Sequence, residues 1–269
     1  MVHESDLPVP DAAFRWCREP WGHTLRCQPL ARIAQHVFTT RQLQLRGADG
    51  HAVPWMQAVA AVGATSDDLV RAKQVHGRTI RVIRPGADKP AEVAIIPEAD
   101  VVMSDHRGIV AAVQVADCVP LLMADPRSGA VAAVHAGWRG TLAGVAAAAV
   151  DRMTREFGTR ASDLIAAIGP SIGPCCYEVG GEVVDAFAAT GASDAQMGRW
   201  FIRADDSVHL DLWSVTRDQL TAAGVTLQHI HICRLCSKTH SHIFASYRAD
   251  GPTAGRMAAL IKVAALEGE

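Results

Sequence analysis

Residues 119–145 read VPLLMADPRSGAVAAVHAGWRGTLAGV. An apolar run, VPLLMA, stops at Asp125-Pro126-Arg127-Ser128-Gly129, and a second run, VAAVH, resumes at Val131. Asp and Ser side chains bond nearby backbone, Pro fixes φ, and Gly tolerates positive φ. The cluster therefore predicts a tight reversal between two antiparallel strands. The second strand ends at His135, and the chain turns through Gly137. From Thr141 to Phe157 apolar residues recur at helical spacing, with Gly158 as the C-cap.

Working outward, strands are expected at 78–84, 101–103, 109–115, 164–168 and 208–212, with alternation again at 225–232. Helices are expected at 55–63, 180–190, 213–223 and 253–266, and a loop at the Gly/Pro-rich segment 169–176. Neighbouring strands look like hairpins, and helices fall between groups of strands. That order favours an α+β fold over a doubly wound sheet. Residues 1–30, with Pro8, Pro10, Pro20 and Pro29, are expected to form an irregular N-terminal extension, and residues 31–269 a single domain.

The 269 residues are 49% apolar and 20% charged, enough to bury a core without disulfides or metal. Lys+Arg is 26 against Asp+Glu 28, a net charge of −2, so bulk charge draws the chain to neither nucleic acid nor an anionic membrane. The longest apolar region, Ile109 to Ala124, is interrupted by Gln114, Asp117, Cys118 and Pro120, which makes it too polar and too short to span a bilayer. The first 25 residues hold no apolar core of a secretory signal. Seven cysteines, an odd number, read as reduced thiols. The expectation is a cytoplasmic protein, with no nucleic-acid or membrane partner.

The sequence contains no HExxH, GxSxG, GxGxxG or phosphate-binding P-loop. Three segments stand out: KQVHGRTI with His76, QVADCVPLLMADP with Asp117 and Cys118, and VAAVHAGWRG with His135 and Arg139. Their spacing leaves convergence open; if they converge, two imidazoles and one thiol at strand ends make a three-ligand zinc set with one open position, the pattern of a catalytic site. The same Cys and His also make a nucleophile and base without metal. Asp117 is either a satisfied structural carboxylate or a reactive one. HAGWRG is either an ordinary strand-to-helix turn or an anion site built from a helix start and Arg139. Near the C-terminus Cys233, Cys236, His240 and His242 form a compact but irregularly spaced metal set. The His229-Ile230-His231 pair resembles a copper motif, although two isolated His pairs make a poor multicopper centre.

At these motifs the chain resembles a bacterial family known as multicopper polyphenol oxidase (laccase-like), peptidoglycan-editing factor and purine nucleoside phosphorylase. The matches are FTTR at 38–41, QVHG at 74–77, ADCVPLL at 116–122, HAGWRGT at 135–141, IGPSIGPCCYEVG at 168–180 and SYRADGPTAGRMA at 246–258. They span roughly residues 36–265. The resemblance implies zinc on His76, Cys118 and His135, and two stacked mixed β-sheets flanked by helices, a four-layer αββα sandwich. It implies phosphorolysis of adenosine, inosine, guanosine or methylthioadenosine, with deamination of adenosine. A separate implied activity is removal of L-Ser or Gly from UDP-MurNAc. Copper-dependent polyphenol oxidation is the third.

For deamination Asp117 is the nearest proton shuttle in the sequence, beside the ligand Cys118. For phosphorolysis Arg41, Arg139 and Arg248 are anion clamps, and Gln74 orients substrate or ligand. The partners expected are a nucleoside and phosphate, with a monomer or small homo-oligomer. Two departures from the family stand out. Ala249 replaces the second Arg of SYRRD, and Cys233 is additional to the family cysteine, which Cys236 matches.

Overall fold

A computed structural model describes residues 3–45, 52–84 and 96–264. Two six-stranded mixed sheets stack face to face. The first contains β1 (Phe14–Glu19), β2 (Gly22–Cys27), β3 (Ala34–Thr39), β4 (Leu69–Val70), β7 (Val110–Val115) and β14 (Met257–Val263), in the order β1-β2-β3-β14-β7-β4. The second contains β5 (Ile80–Ile83), β6 (Val101–Ser104), β8 (Val119–Ala124), β9 (Val131–Ala136), β10 (Ile165–Ile168) and β13 (Ile230–Ile232), in the order β13-β10-β8-β9-β6-β5. Most neighbours are antiparallel. The β4/β7, β5/β6 and β10/β13 pairs are parallel.

The expected hairpin is β8/β9, in register from Val119↔Ala136 to Ala124↔Val131. Asp125 accepts the Arg127 N–H at 2.9 Å and the Ser128 hydroxyl at 2.7 Å, which closes the turn. Alternation along both strands sorts two cores. Leu122, Ala124, Val131 and Ala133 face the first sheet. Leu121, Met123, Ala132 and Val134 face the helices. Those helices are α4 (Val145–Phe157), α5 (Gly181–Ala188), α6 (Asp194–Trp200) and α7 (Leu212–Ala222). On the far side, α2 (Ala52–Ala60) packs Trp55 and Val59 on Val37, Ala112 and Leu260. The four-layer α+β expectation therefore holds. Among the described residues no helix is long and apolar enough to cross a membrane.

Several expectations are corrected. Residues 14–27 are not an irregular extension. They are the β1/β2 hairpin, with Phe14 and Leu25 in the inter-sheet core, followed by α1 (Gln28–Ala31). The prolines punctuate structure there: Pro20 sits in the hairpin turn, and Pro29 in the first turn of α1. Residues 257–263 are a central strand, β14, and not part of a helix. MAALIKV is buried on both faces except at Lys262, so the alternation that marks a half-buried strand is missing. The expected helix 141–157 is two helices, α3 (Trp138–Leu142) and α4, divided where Gly144 takes φ 78°. Of 225–232 only β13 is strand. The expected strand at 208–212 is β12 (Ser207–Leu210), paired with β11 (Phe201–Ala204); β11 and the helix α6 carried no clear signal. The breakers Pro85 and Gly86 lie outside the described residues.

His36 of β3 is buried between Cys27, whose N–H reaches Nε2 at 2.9 Å, and the Ala34 carbonyl at 3.3 Å from Nδ1. Burial, with the Arg26 charge adding to it, lowers its pKa from 6.5 to about 4 against the opposing pull of the Ala34 carbonyl. The unfolded chain then binds the extra proton first. The contribution of neutral His36 is complete above pH 6.5 and fades as pH falls toward 4, by about 3 kcal/mol in all. Urea midpoints measured from pH 7 to 4 should fall for the native chain, and His36→Gln should flatten that dependence. An unchanged slope in the variant would rule His36 out as the source.

Candidate active site

The residues singled out at 76, 118 and 135 converge. Their ligand atoms lie within 4.8 Å of one another. His135 is the fifth residue of β9, and Cys118 immediately precedes β8. Both have the parity of the inter-sheet face, at the strand ends where the sheets leave space. His76 comes from the loop before β5 and takes φ 61°. Asp117, before Cys118, takes φ 84°. Two non-glycine residues in left-handed backbone beside one cluster mark a constrained site.

Asp100, at the start of β6, holds the arrangement. Its carboxylate is fully buried. It accepts N–H bonds from Val75 at 3.3 Å, His76 at 2.9 Å and Gly77 at 2.7 Å. It also bonds His135 Nδ1 at 2.8 Å, and its backbone carbonyl accepts the His135 N–H at 2.8 Å. Burial alone would raise its pKa, but bonds from His135 and the loop amides outweigh that and hold it below the usual value. An ionised carboxylate only accepts, so His135 Nδ1 donates and Nε2 remains for a ligand. Burial likewise would raise Cys118, yet the two imidazoles bring the thiol down to about 6. The thiolate and Asp100 in turn lift His135 to about 9 against burial.

Gly137, the N-cap of α3, makes the close packing possible. A Cβ there would lie 3.0 Å from both Cys118 Sγ and His76 Cδ2. Two imidazoles, a polarised thiol and a carboxylate behind one ring form a donor set suited to zinc, with the cavity on the remaining side. The donors therefore fit the metal that the sequence implies.

The cavity has a volume of about 620 Å³. Trp138, Tyr177 and Tyr247 line it, with Arg139 and Arg248. The Arg139 guanidinium lies 4.3 Å from the Trp138 ring centroid, and that of Arg248 5.2 Å from Tyr177. Arg248 also donates to the Glu178 carbonyl at 2.9 Å. No carboxylate pairs with either guanidinium among the described residues. Burial, reinforced by the Cys118 charge, pushes the Tyr177 phenol up to about 12, so it meets a ligand protonated.

Other expected residues are placed differently. Asp117 accepts the Ser237 hydroxyl at 2.5 Å on Oδ1. On Oδ2 it accepts the Arg248 N–H at 2.6 Å, at the start of α8 (Tyr247–Asp250). Both of its oxygens are occupied. Gln74 lines the cavity, but its amide makes two 2.7 Å bonds to the backbone of Gln114. Arg41 is not in the described lining. It bonds the Ser241 carbonyl and pairs with Asp250 at 3.4 Å. Ala249, within α8, donates its N–H to Ser246 Oγ. Cys233, Cys236, His240 and His242 do not come together as a set. His229 Nδ1 lies 3.0 Å from the Ser162 carbonyl. Sequence reasoning missed Asp100 and Tyr177. The former ends an unremarkable Glu-Ala-Asp, and the latter sits within the quoted IGPSIGPCCYEVG segment.

Asp100→Asn keeps the shape but loses the charge that accepts four donors. Competition with a chelator should show zinc affinity reduced about 10- to 100-fold. Unchanged affinity would show that the carboxylate does not organise the ligands.

Known proteins resemble this chain in sequence and in fold. A family model described as multi-copper polyphenol oxidoreductase laccase matches residues 52–264. A protein of Bacteroides thetaiotaomicron named purine nucleoside phosphorylase is 40% identical over 160 residues, 59% of this chain and 58% of that one, so the match spans less than two thirds of that relative. One of the same name from Deinococcus radiodurans is 34% identical over 248 residues, 87% of this chain and 91% of its own. A protein named adenosine deaminase, from an unknown prokaryotic organism, is 36% identical over 200 residues, 72% and 75% of the two chains. The crystal structure of YlmD from Geobacillus stearothermophilus superposes with a TM-score of 0.81 at 30% identity, covering 93% of this chain and 99% of that one.

Proposed function

Because the chain belongs to the multi-copper polyphenol oxidoreductase laccase family, whose relatives here bear the names of nucleoside enzymes, we propose that it is a purine nucleoside phosphorylase with zinc on His76, Cys118 and His135. The observation that carries this reading is the pair of guanidinium groups, Arg139 and Arg248, free of carboxylates and lining the same cavity as the three donors. Phosphate is a dianion, and guanidinium binds it bidentately. Stacked on Trp138 and Tyr177, the two arginines are held in place before the anion arrives. The rings of Trp138, Tyr177 and Tyr247 offer faces for a purine.

Zinc, when bound, supplies Lewis-acid polarisation of a substrate oxygen. The chain's own groups do the rest. Arg139 and Arg248 hold phosphate for attack on the ribose C1′. The protonated Tyr177 phenol offers a donor to the departing base. Asp117 acts as a positioning residue, because Ser237 and Arg248 occupy its oxygens and tie the Cys118 turn to α8. It is also the sole carboxylate lining the described cavity, so no free acid is at hand as a shuttle. Deamination is the second reading, carried by the relative of that name. It requires Asp117 to exchange one of its two partners. Copper is the less suited metal, because the cavity holds one His/Cys trio and not paired histidine motifs.

Adenosine incubated with zinc-loaded protein, with and without phosphate, separates these readings by mass spectrometry. The proposal expects adenine and ribose 1-phosphate only with phosphate, and no product from His76→Ala. Inosine as the main product would establish deamination instead, and no turnover of any purine nucleoside would overturn both. Arg139→Ala should raise KM for phosphate about 10- to 100-fold, the loss of one charge-assisted bond, with zinc content unchanged. An unaltered KM would remove Arg139 from the phosphate site.

A further inference from the structure

A second cluster of soft donors lies outside the cavity. Cys236, taken from the C-terminal motif, meets Cys175 and Cys176 from the loop after β10, and the three Sγ atoms lie within 4.8 Å of one another. None of the three lines the cavity. All seven cysteines of the chain are free thiols. Two backbone amides point at Cys236 Sγ, Gly173 N–H at 3.3 Å and Thr239 N–H at 3.5 Å. Thr239 Oγ1 lies 3.4 Å from Sγ of both Cys175 and Cys176. Amide donors aimed at sulfur favour thiolate over thiol, the form that ligates. Cys236 is buried, and Cys175 is open to solvent, which leaves an entry path.

We propose that Cys175, Cys176 and Cys236 form a second metal site, for a soft thiophilic cation, Cu(I) in first place. Three cysteine sulfurs with no imidazole or carboxylate among them select soft ions. Structural zinc sites take four protein ligands, and neither His240 nor His242 joins this group, so the three-sulfur set suits Cu(I) better than zinc. Binding exchanges thiol protons for the ion and needs no change of oxidation state when copper is supplied as Cu(I). An ion here joins two loops that reach the cavity wall. Cys176 precedes Tyr177, and Cys236 precedes Ser237, whose hydroxyl holds Asp117. The site therefore braces the wall without touching substrate.

The test is an anaerobic Cu(I) titration of the full-length, zinc-loaded chain against a chromogenic Cu(I) chelator, with alkylation of Cys175 followed by peptide mass spectrometry. The native chain should take up one more equivalent than Cys175→Ser/Cys176→Ser. Cu(I) at ten times its dissociation constant should slow alkylation of Cys175 about tenfold, by mass action. The single variant Cys175→Ser, at an exposed position, should show the same loss of uptake and serves where the double variant does not fold. His76→Ala should keep the protection, which separates this site from the first. Equal uptake by native and variant chains, unprotected Cys175, protection lost in His76→Ala, or protection by zinc but not Cu(I) would each overturn the proposal.

Discussion

Asp100 places a fully buried charge at the junction of the QVHG loop, β6 and β9, and four hydrogen bonds converge on it. A buried carboxylate without such donors would be strongly destabilising, so the loop amides and the His135 ring are fixed as a set. The constraint works in both directions. The charge needs the loop to curl around it, and the curl leaves His76 in left-handed backbone facing Cys118 and His135. Gly137 then lets α3 begin against the ligands. The geometry of the three donors thus follows from satisfying one buried anion.

The wall opposite depends on a similar bond pair. Asp117, also in left-handed backbone, links the turn before β8 to Ser237 and to the Arg248 amide in the first turn of α8. Arg248 is thereby anchored at its backbone while its guanidinium remains over Tyr177. Carboxylates in this site brace the structure, and guanidinium groups face the cavity. That division favours an anionic co-substrate over a reaction needing a free acid.

Much of this was legible in the sequence, for identifiable reasons. The Asp-Pro-Arg-Ser-Gly turn revealed β8 and β9, and polar residues interrupting apolar strand ends exposed His135, Asp117 and Cys118. The ligands' convergence is a long-range consequence of sheet stacking, so spacing alone left it open. Asp100 was hidden because its role lies in backbone amides that any residue could supply. β14 was read as helix because a strand covered on both faces loses its alternation, and Ala258 and Ala259 suit a helix equally well. The β1/β2 hairpin was hidden by prolines that in fact sit at its turn and flanks. Arg41 illustrates the converse. Its residue type suited an anion clamp, but Asp250 and the Ser241 carbonyl hold it away from the cavity.

The central claim is that Asp100 turns His135 so that two imidazoles and the Cys118 thiolate hold one zinc ion. An anomalous difference map at the zinc edge, from a crystal of the zinc-loaded protein, tests it most directly. The account predicts a peak about 2.0–2.1 Å from His135 Nε2 and from a ring nitrogen of His76, and about 2.3 Å from Cys118 Sγ, with His135 Nδ1 still on Asp100. A peak elsewhere, or a His135 ring turned away from Asp100, would contradict it.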